Sequence, residues 1–382
     1  MPFRSPLIIL RSQYFLYFAV MGAVLPYFNL YCYHIGFTGY EIGVLSALRS
    51  SAIVLFPVLW GGLADRLRIH KPIYITCNFL AAVIWLGYFF TVDFGPMVVI
   101  TLAYGIFYTP IIPLLEAMTM DILGREKSSY GRTRAWGSVS FILVVLLLGR
   151  VIDAFGVQII LTLVLAGSAV QAVLALALPP SQRQQPPVSL AGIRALFTRR
   201  FTVFLICAFL MLVSHGAYYG FFSIHLEQLG LSGTLIGVAW AVASTAEILV
   251  MISSARLFHR FSPEKMMLIA FGVAVIRWSI LYWAVSPVII ILSQVLHAFT
   301  YGMFHMASIL YVDRLSPGAG KTLGQAVNNS VTYGLGLMVG FYLNGWLYAH
   351  VSIFTLFLIS AGIAALGGGI IYGSGRLPRS DA

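Results

Sequence analysis

Ionisable side chains set inside long apolar runs carry the first functional information in this 382-residue chain. Arg49 and Glu247 each lie near the middle of such a run, Glu116 stands in a third, and Arg277 with its neighbour Trp278 in a fourth. A charge at the centre of a bilayer costs about 2.5 to 3.5 kcal/mol on insertion scales, so charges found there mark functional sites by default. Arg49 and Glu247 can pair with each other or flank an anionic substrate. Glu116 shares a helical face with Tyr108, Thr109 and Ile112, next to Pro110 and Pro113, which remove backbone hydrogen bonds and can bend a helix near a cavity. An isolated carboxylate in an apolar bundle can take up a proton.

Two polar and aromatic stripes accompany these charges. Met211, His215, Tyr218, Phe222 and His225 follow a helical progression with Tyr219 alongside, and Gln294, His297, Tyr301, His305 and Ser308 form a second. Imidazoles suit a proton relay, and tyrosines supply hydrogen bonds and stacking surface. Further on, Gln325, Asn329 and Thr332 share a face, followed by Gly334, Gly336 and Gly340 at spacings that permit close helix contact.

The elements that position these residues follow from composition. Residues are 60% hydrophobic and 9% charged, with a mean hydropathy of +0.92; soluble domains carry about 25% charged residues. Apolar segments of the length that spans a bilayer are predicted near 8–33, 38–63, 73–92, 95–121, 131–153, 156–178, 200–226, 232–256, 264–284, 287–313, 321–347 and 350–375. Twelve transmembrane helices result. A β-barrel would need shorter segments of alternating polarity, which are absent. The apolar stretch after Arg11 is too long for a signal-peptide core and has no small-residue cleavage site, so it reads as the first retained span.

The net charge of +11 is explained by topology. With the amino terminus inside, every Lys and Arg except Arg49, Arg150 and Arg277 falls at a cytoplasmic end, as the positive-inside rule requires. Both termini are then cytoplasmic. A nucleic-acid partner would need a clustered basic face, and there is none. Cys32, Cys77 and Cys207 lie in apolar runs without zinc or disulfide spacing. No phosphate loop, metal cluster or nucleotide motif is found, so neither an enzyme nor a cofactor is expected, and energy must come from an ion gradient.

The chain also repeats itself. Gly36, Gly39, Ile42, Gly43 and Val44 recur with unchanged spacing as Gly230, Gly233, Ile236, Gly237 and Val238, and Leu63 and Arg66 recur as Leu257 and Arg260. In this register Arg49 corresponds to Ala243 and Glu247 to Ile53, placing the two charges one turn apart on related helices. A polar stretch separates the repeats, giving an amino-terminal six-helix bundle over 1–178, a cytoplasmic linker over 179–199 and a second bundle over 200–382. Two parallel-related six-helix halves are the architecture of the major facilitator superfamily, where substrate binds near the midplane and access alternates by rocking.

The loop after the second span, with Gly61, Asp65, Arg66 and Lys71, resembles that superfamily's signature, although Arg68 and Ile69 stand where glycine and a basic residue are usual. Asp65 and Arg66, with Arg132 and Arg134 opening the fifth span, are the candidates for conformational gating. The run His215 to Phe221, the pairs Ala246-Glu247 and Arg277-Trp278, Gln294, His297 and His305, Pro113, Leu114 and Glu116, and the segment Tyr130 to Ser138 resemble the phenylpropionate permease family. That family is related to lactose permease-like symporters. The resemblance implies proton-coupled import of a small organic solute, an aromatic carboxylate such as 3-phenylpropionate first, with sugars, nucleosides or siderophores as alternatives.

It further implies that Glu116, Glu247, His297 and His305 are the proton-coupling candidates. Arg49, Tyr108, His215, Tyr218, Tyr219, Phe222, Arg277, Tyr301, Gln325 and Asn329 are those for substrate, in a cavity lined by spans 1, 2, 4, 5, 7, 8, 10 and 11. The expected partners are the substrate, protons and lipid, in a bacterial inner membrane, for a monomer. A drug antiporter is disfavoured because Trp136 to Asp153 contains no proline, and a non-transporting receptor because no extramembrane domain is recognised.

Overall fold

A computed structural model describes residues 6–179, 196–316 and 320–374. Residues 180–195 of the predicted linker lie outside the described residues, as do the orienting residues Arg4, Arg183, Arg194, Arg376 and Arg379 and the side chains of Arg125 and Lys127. Among the described residues all regular structure is helical, and ten helices are long and apolar enough to cross a membrane.

These are α1 (Pro6–His34), α2 (Gly39–Leu67), α3 (His70–Phe89), α4 (Phe94–Leu123), α5 (Tyr130–Phe155), α7 (Arg199–Gln228), α8 (Gly233–Arg260), α9 (Pro263–Trp283), α10 (Pro287–Leu315) and α12 (Ile353–Ser374). The sixth and eleventh predicted spans are shorter or broken. Helix α6 (Ile159–Ala175) has 17 residues. Helix α11, over 321–348, is Lys321–Asn329 and Leu337–Tyr348 joined by a π-helical stretch at Ser330–Gly336.

Contacts divide the chain into one unit of Met1–Pro187 with Gly230–Ala241 and another of Val188–Leu229 with Val242–Ala382. The start of α8 belongs to the first unit because glycines let backbones touch. A methyl at Gly233 would stand 2.8 Å from the Gly149 carbonyl oxygen, and the Asp153 carboxylate accepts from the Gly233 and Thr234 amides at 2.6 and 2.9 Å. Inside the first unit α1 packs on α5 and α6, and α3 on α4 and α6; inside the second α7 packs on α11 and α12, and α9 on α10 and α12. The pairing scheme repeats, as the sequence does.

Turn chemistry explains the repeated glycines. Gly36 and Gly230 both have left-handed backbones, with φ of +91° and +78°, a conformation that glycine alone adopts without steric cost. Two residues on, Thr38 and Ser232 begin the next helix. Thr38 accepts from the Glu41 amide while Glu41 reaches back to the Thr38 amide, a capping box; Ser232 accepts from the Leu235 amide at 3.4 Å.

Two helices are interrupted where chemistry was expected. Helix α4 breaks between Tyr108 and Ile111, at Pro110, as predicted. Helix α7 breaks at His215 without any proline. There the Met211 carbonyl accepts from the Ser214 hydroxyl at 2.6 Å, the His215 ring at 2.8 Å and the His215 amide at 3.2 Å. Side chains competing for one carbonyl loosen a helix locally.

Candidate functional site

In the second unit the two polar stripes and the isolated charges assemble around one side chain. Arg277 on α9 is fully buried. Its Nη1 donates to His297 Nδ1 at 2.9 Å and to the Thr300 hydroxyl at 3.2 Å, and its Nη2 donates to Gln294 Oε1 at 2.8 Å. The guanidinium also lies 4.2 Å from the ring centre of Tyr218 and 4.7 Å from that of Trp278. Hydrogen bonds and cation–π contacts together replace water around a buried cation.

His297 leads from the guanidinium to the carboxylate, since its Nε2 lies 3.7 Å from Glu247 Oε2 and 3.4 Å from the Tyr219 hydroxyl. The Glu247 side chain keeps 21% of its surface exposed against 5% for His297. The carboxylate is therefore the more accessible end of this line.

Local backbone geometry puts the rings there. Helix α10 passes from a 3-10 turn at Gln294–Leu296 into a π-helical stretch at Ala298–Met303, and His297 sits at the junction. Such bulges recur at functional sites because they re-aim side chains. From this helix His297 and Tyr301 stack at 5.3 Å and Tyr301 and His305 at 6.1 Å. The π-helical stretch of α11 supplies Tyr333, whose hydroxyl lies 2.5 Å from His305 Nδ1.

From α7, Tyr218 lies tilted between Phe222 and Trp278, and His215 meets Trp278 edge-on at 5.0 Å. The His215 Nε2 and Trp278 Nε1 atoms are buried without a hydrogen-bond partner among the described residues. Tyr333 and Thr300 were missed in the sequence because neither is ionisable near neutral pH and no stripe marked them. Gln325 bonds the Ile309 carbonyl at 2.8 Å, and Asn329 is exposed. The buried polar pair on that helix is Asn328 with Thr332, at 2.9 Å.

The first unit holds a second cluster. Arg49 donates to Asn29 Oδ1 at 2.7 Å and to the Ser46 hydroxyl at 3.1 Å, above the Phe28 ring at 4.7 Å. Tyr17, Tyr108 and Tyr104 form a continuous stack, with ring centres 5.3 and 4.8 Å apart. The Tyr104 and Tyr108 hydroxyls are buried with no hydrogen-bond partner among the described residues. Glu116 has Arg134 and Tyr130 for neighbours, and Arg134 itself lies 3.8 Å over the Phe18 ring.

Of the gating candidates, Asp65 binds His70 Nε2 at 2.7 Å, a partner the sequence pattern did not suggest. Arg66 and Arg132 are exposed, the latter bonding Ser129 at 3.1 Å. Arg68 caps α2 in the left-handed conformation at φ +58°, which is where the superfamily signature has glycine. Among the described residues no group of His, Cys, Asp and Glu could hold a metal ion, and Cys32, Cys77 and Cys207 are buried free thiols.

Known proteins match this architecture along its length. The chain is 28% identical over 353 residues to a probable 3-phenylpropionic acid transporter of Escherichia coli (strain K12), covering 90% of this chain and 91% of that protein. It is 26% identical over 363 residues to the maltose permease of Geobacillus stearothermophilus, covering 92% of each. The crystal structure of the nucleoside transporter NupG superposes with a TM-score of 0.88 at 19% identity, covering 98% of this chain and all of that one; at that identity the likeness is one of fold. These relatives are transporters rather than enzymes, and ten membrane-length helices fit a multi-pass membrane protein moving small solutes. With the profile of the MFS_1 like family matching residues 7–359, the chain belongs to that family of the major facilitator superfamily.

Proposed function

We propose that this protein is a proton-coupled symporter that imports a small organic solute by alternating access, an aromatic carboxylate such as 3-phenylpropionate being the first to test. The observation that carries this reading is the line from Glu247 through His297 to Arg277. It joins a half-buried carboxylate to a buried cation within a wall of tyrosine, histidine and tryptophan. A carboxylate that gains a proton can cross an occluded state without carrying charge. Aromatic faces suit a phenyl ring or a sugar face equally. Glu116 is the second carboxylate, and its neighbours Arg134 and Tyr130 suit a structural role better.

Arg49 offers the remaining donors of its guanidinium to a substrate anion. The distribution of Lys and Arg supports cytoplasmic termini in a bacterial inner membrane, and a monomer suffices for the mechanism. The permease names among the relatives favour a second reading, a sugar or nucleoside as the solute.

The test is uptake into proteoliposomes under an imposed pH gradient, acid outside, with 3-phenylpropionate, maltose and a nucleoside offered in parallel. Accumulation of one of them that collapses with the gradient is expected. In Glu247→Gln the gradient no longer drives accumulation, whereas exchange of labelled for unlabelled solute persists. Gradient-driven accumulation by Glu247→Gln rules out Glu247 as the coupling site, and gradient-driven expulsion of solute identifies an antiporter instead.

A further inference from the structure

We infer that Arg277 is a positioning residue that fixes the tautomer of His297, making this imidazole a neutral hydrogen-bond donor facing Glu247 and not a carrier of the transported proton. The inference rests on the reading of Glu247 as the coupling carboxylate and assigns the ring beside it.

A guanidinium has five N–H donors and no acceptor. Nδ1 of His297, 2.9 Å from Arg277 Nη1, therefore presents its lone pair, and the single proton of the neutral ring sits on Nε2. That N–H points to the side where Tyr219 and Glu247 lie, at 3.4 and 3.7 Å. A second proton on the ring would have to go onto Nδ1. There it would set one N–H against another and place two cations side by side.

Arg277 cannot turn away to make room. Gln294 holds its Nη2, and the orientation of that amide is fixed because its Nε2 donates to the Ile290 carbonyl at 2.8 Å. Tyr218 and Trp278 meanwhile stack on the guanidinium. The groups facing His297 are His215, Tyr218 and Tyr219 of α7, Glu247 of α8, Arg277 of α9 and Tyr301 on its own helix. Glu247 is the carboxylate among them.

His215 serves as the internal contrast. Its Nδ1 contacts the Met211 carbonyl at 2.8 Å, an atom that only accepts. This ring therefore carries its proton on Nδ1, opposite to His297. Two imidazoles with centres 6.1 Å apart are held in opposite tautomers by the fold.

The experiment is nitrogen-15 NMR of the full-length protein, histidine-labelled and reconstituted in lipid, with His297 assigned by difference against His297→Gln. The expected spectrum shows Nδ1 of His297 as an unprotonated, pyridine-type nitrogen and Nε2 as a protonated one, unchanged from about pH 5 to 8. In Arg277→Met nothing confines the proton to Nε2, and the two ring nitrogens show mixed tautomers, with the Nδ1 resonance moving toward the protonated position. Should Arg277→Met fail to fold, transport decides on the second arm. Glutamine offers an acceptor to Arg277 and an N–H to Glu247, so His297→Gln retains part of the gradient-driven accumulation that His297→Leu loses.

A wild-type Nδ1 that is protonated or titrates in this range overturns the inference, and so does complete loss of coupling in His297→Gln. Absence of gradient-driven uptake in the wild-type protein overturns the proposed function alone, since the tautomer is read without transport.

Discussion

The backbone of Gly302 runs directly against Glu247: a methyl group at position 302 would stand 3.0 Å from Glu247 Cγ and 3.3 Å from its carbonyl oxygen. That approach is closer than carbon atoms tolerate without moving, and the neighbour that must move is the proposed proton site.

Gly302→Ala tests whether this fit matters. Alanine favours a helix over glycine by about 0.5 to 1 kcal/mol, while overpacking a close contact costs about 1 to 3 kcal/mol, so the second effect wins. The protein is expected to remain folded with a small loss of thermal stability. Its pH-gradient-driven uptake is expected to fall more than its solute exchange, because the displaced group is the one proposed to carry the proton. Equal losses in the two assays would mean that Glu247 has not been singled out.

Asp153 and the start of α8 provide a stability test within the first unit. The carboxylate accepts from the Gly233 amide, the Thr234 amide and the Thr234 hydroxyl, at 2.6, 2.9 and 2.6 Å. Losing a helix cap costs about 0.5 to 2 kcal/mol, and losing the charge at a helix amino terminus adds about 0.3 to 1 kcal/mol. Asp153→Ala is therefore expected to destabilise by about 1 to 3 kcal/mol in thermal unfolding of the detergent-solubilised protein. Gly233→Ala should be worse, since the new methyl meets the Gly149 carbonyl at 2.8 Å as well as the Asp153 carboxylate at 2.9 Å. A Gly233→Ala protein as stable as wild type contradicts the close backbone approach.

Arg68 offers a stabilising change. A non-glycine residue in the left-handed conformation costs about 1 to 2 kcal/mol, and at φ +58° Arg68 bears that cost at an exposed helix end. Arg68→Gly should raise stability by up to about 1 kcal/mol, because the freedom glycine loses on folding offsets part of the relief. A drop in the melting temperature would show that the arginine side chain contributes more than its backbone costs.

How far these features were legible in the sequence follows from the physics that encodes each. Helix positions came through to within about four residues at each end, because a bilayer demands a long apolar run wherever the chain crosses. Gly36 and Gly230 were visible as a repeat, and their positive φ explains why glycine recurs. Intramembrane charges such as Arg277 and Glu247 stood out for the same energetic reason that makes them rare. Only part of what binds them did, Gln294 and His297 through their stripe. Thr300 and Tyr333 reach the cluster through π-helical stretches of α10 and α11, and a bulge shifts which residues share a face without any signature residue. His70 was hidden from a motif reading of the second loop because it sits one turn beyond Asp65, in the next helix. Asn328 and Asn329 are adjacent, and a one-residue change of face buries the first and exposes the second.

Tyr108 provides the clearest test of substrate contact in the first unit. Its hydroxyl is buried and has no hydrogen-bond partner among the described residues, while its ring stacks on Tyr17 and Tyr104. A tyrosine kept only for packing would lose nothing on conversion to phenylalanine and could gain stability, because a buried unsatisfied hydroxyl is itself a cost. Tyr108→Phe is therefore expected to leave the melting temperature of the free protein unchanged or higher. If the hydroxyl binds substrate, the same variant weakens binding by about twofold to twelvefold, the worth of one hydrogen bond of about 0.5 to 1.5 kcal/mol. The measurement is the melting temperature with and without solute, since a ligand that binds the folded state raises it by an amount that grows with the logarithm of its affinity. Stability retained with the ligand-induced shift diminished assigns Tyr108 to the substrate; an undiminished shift confines it to packing.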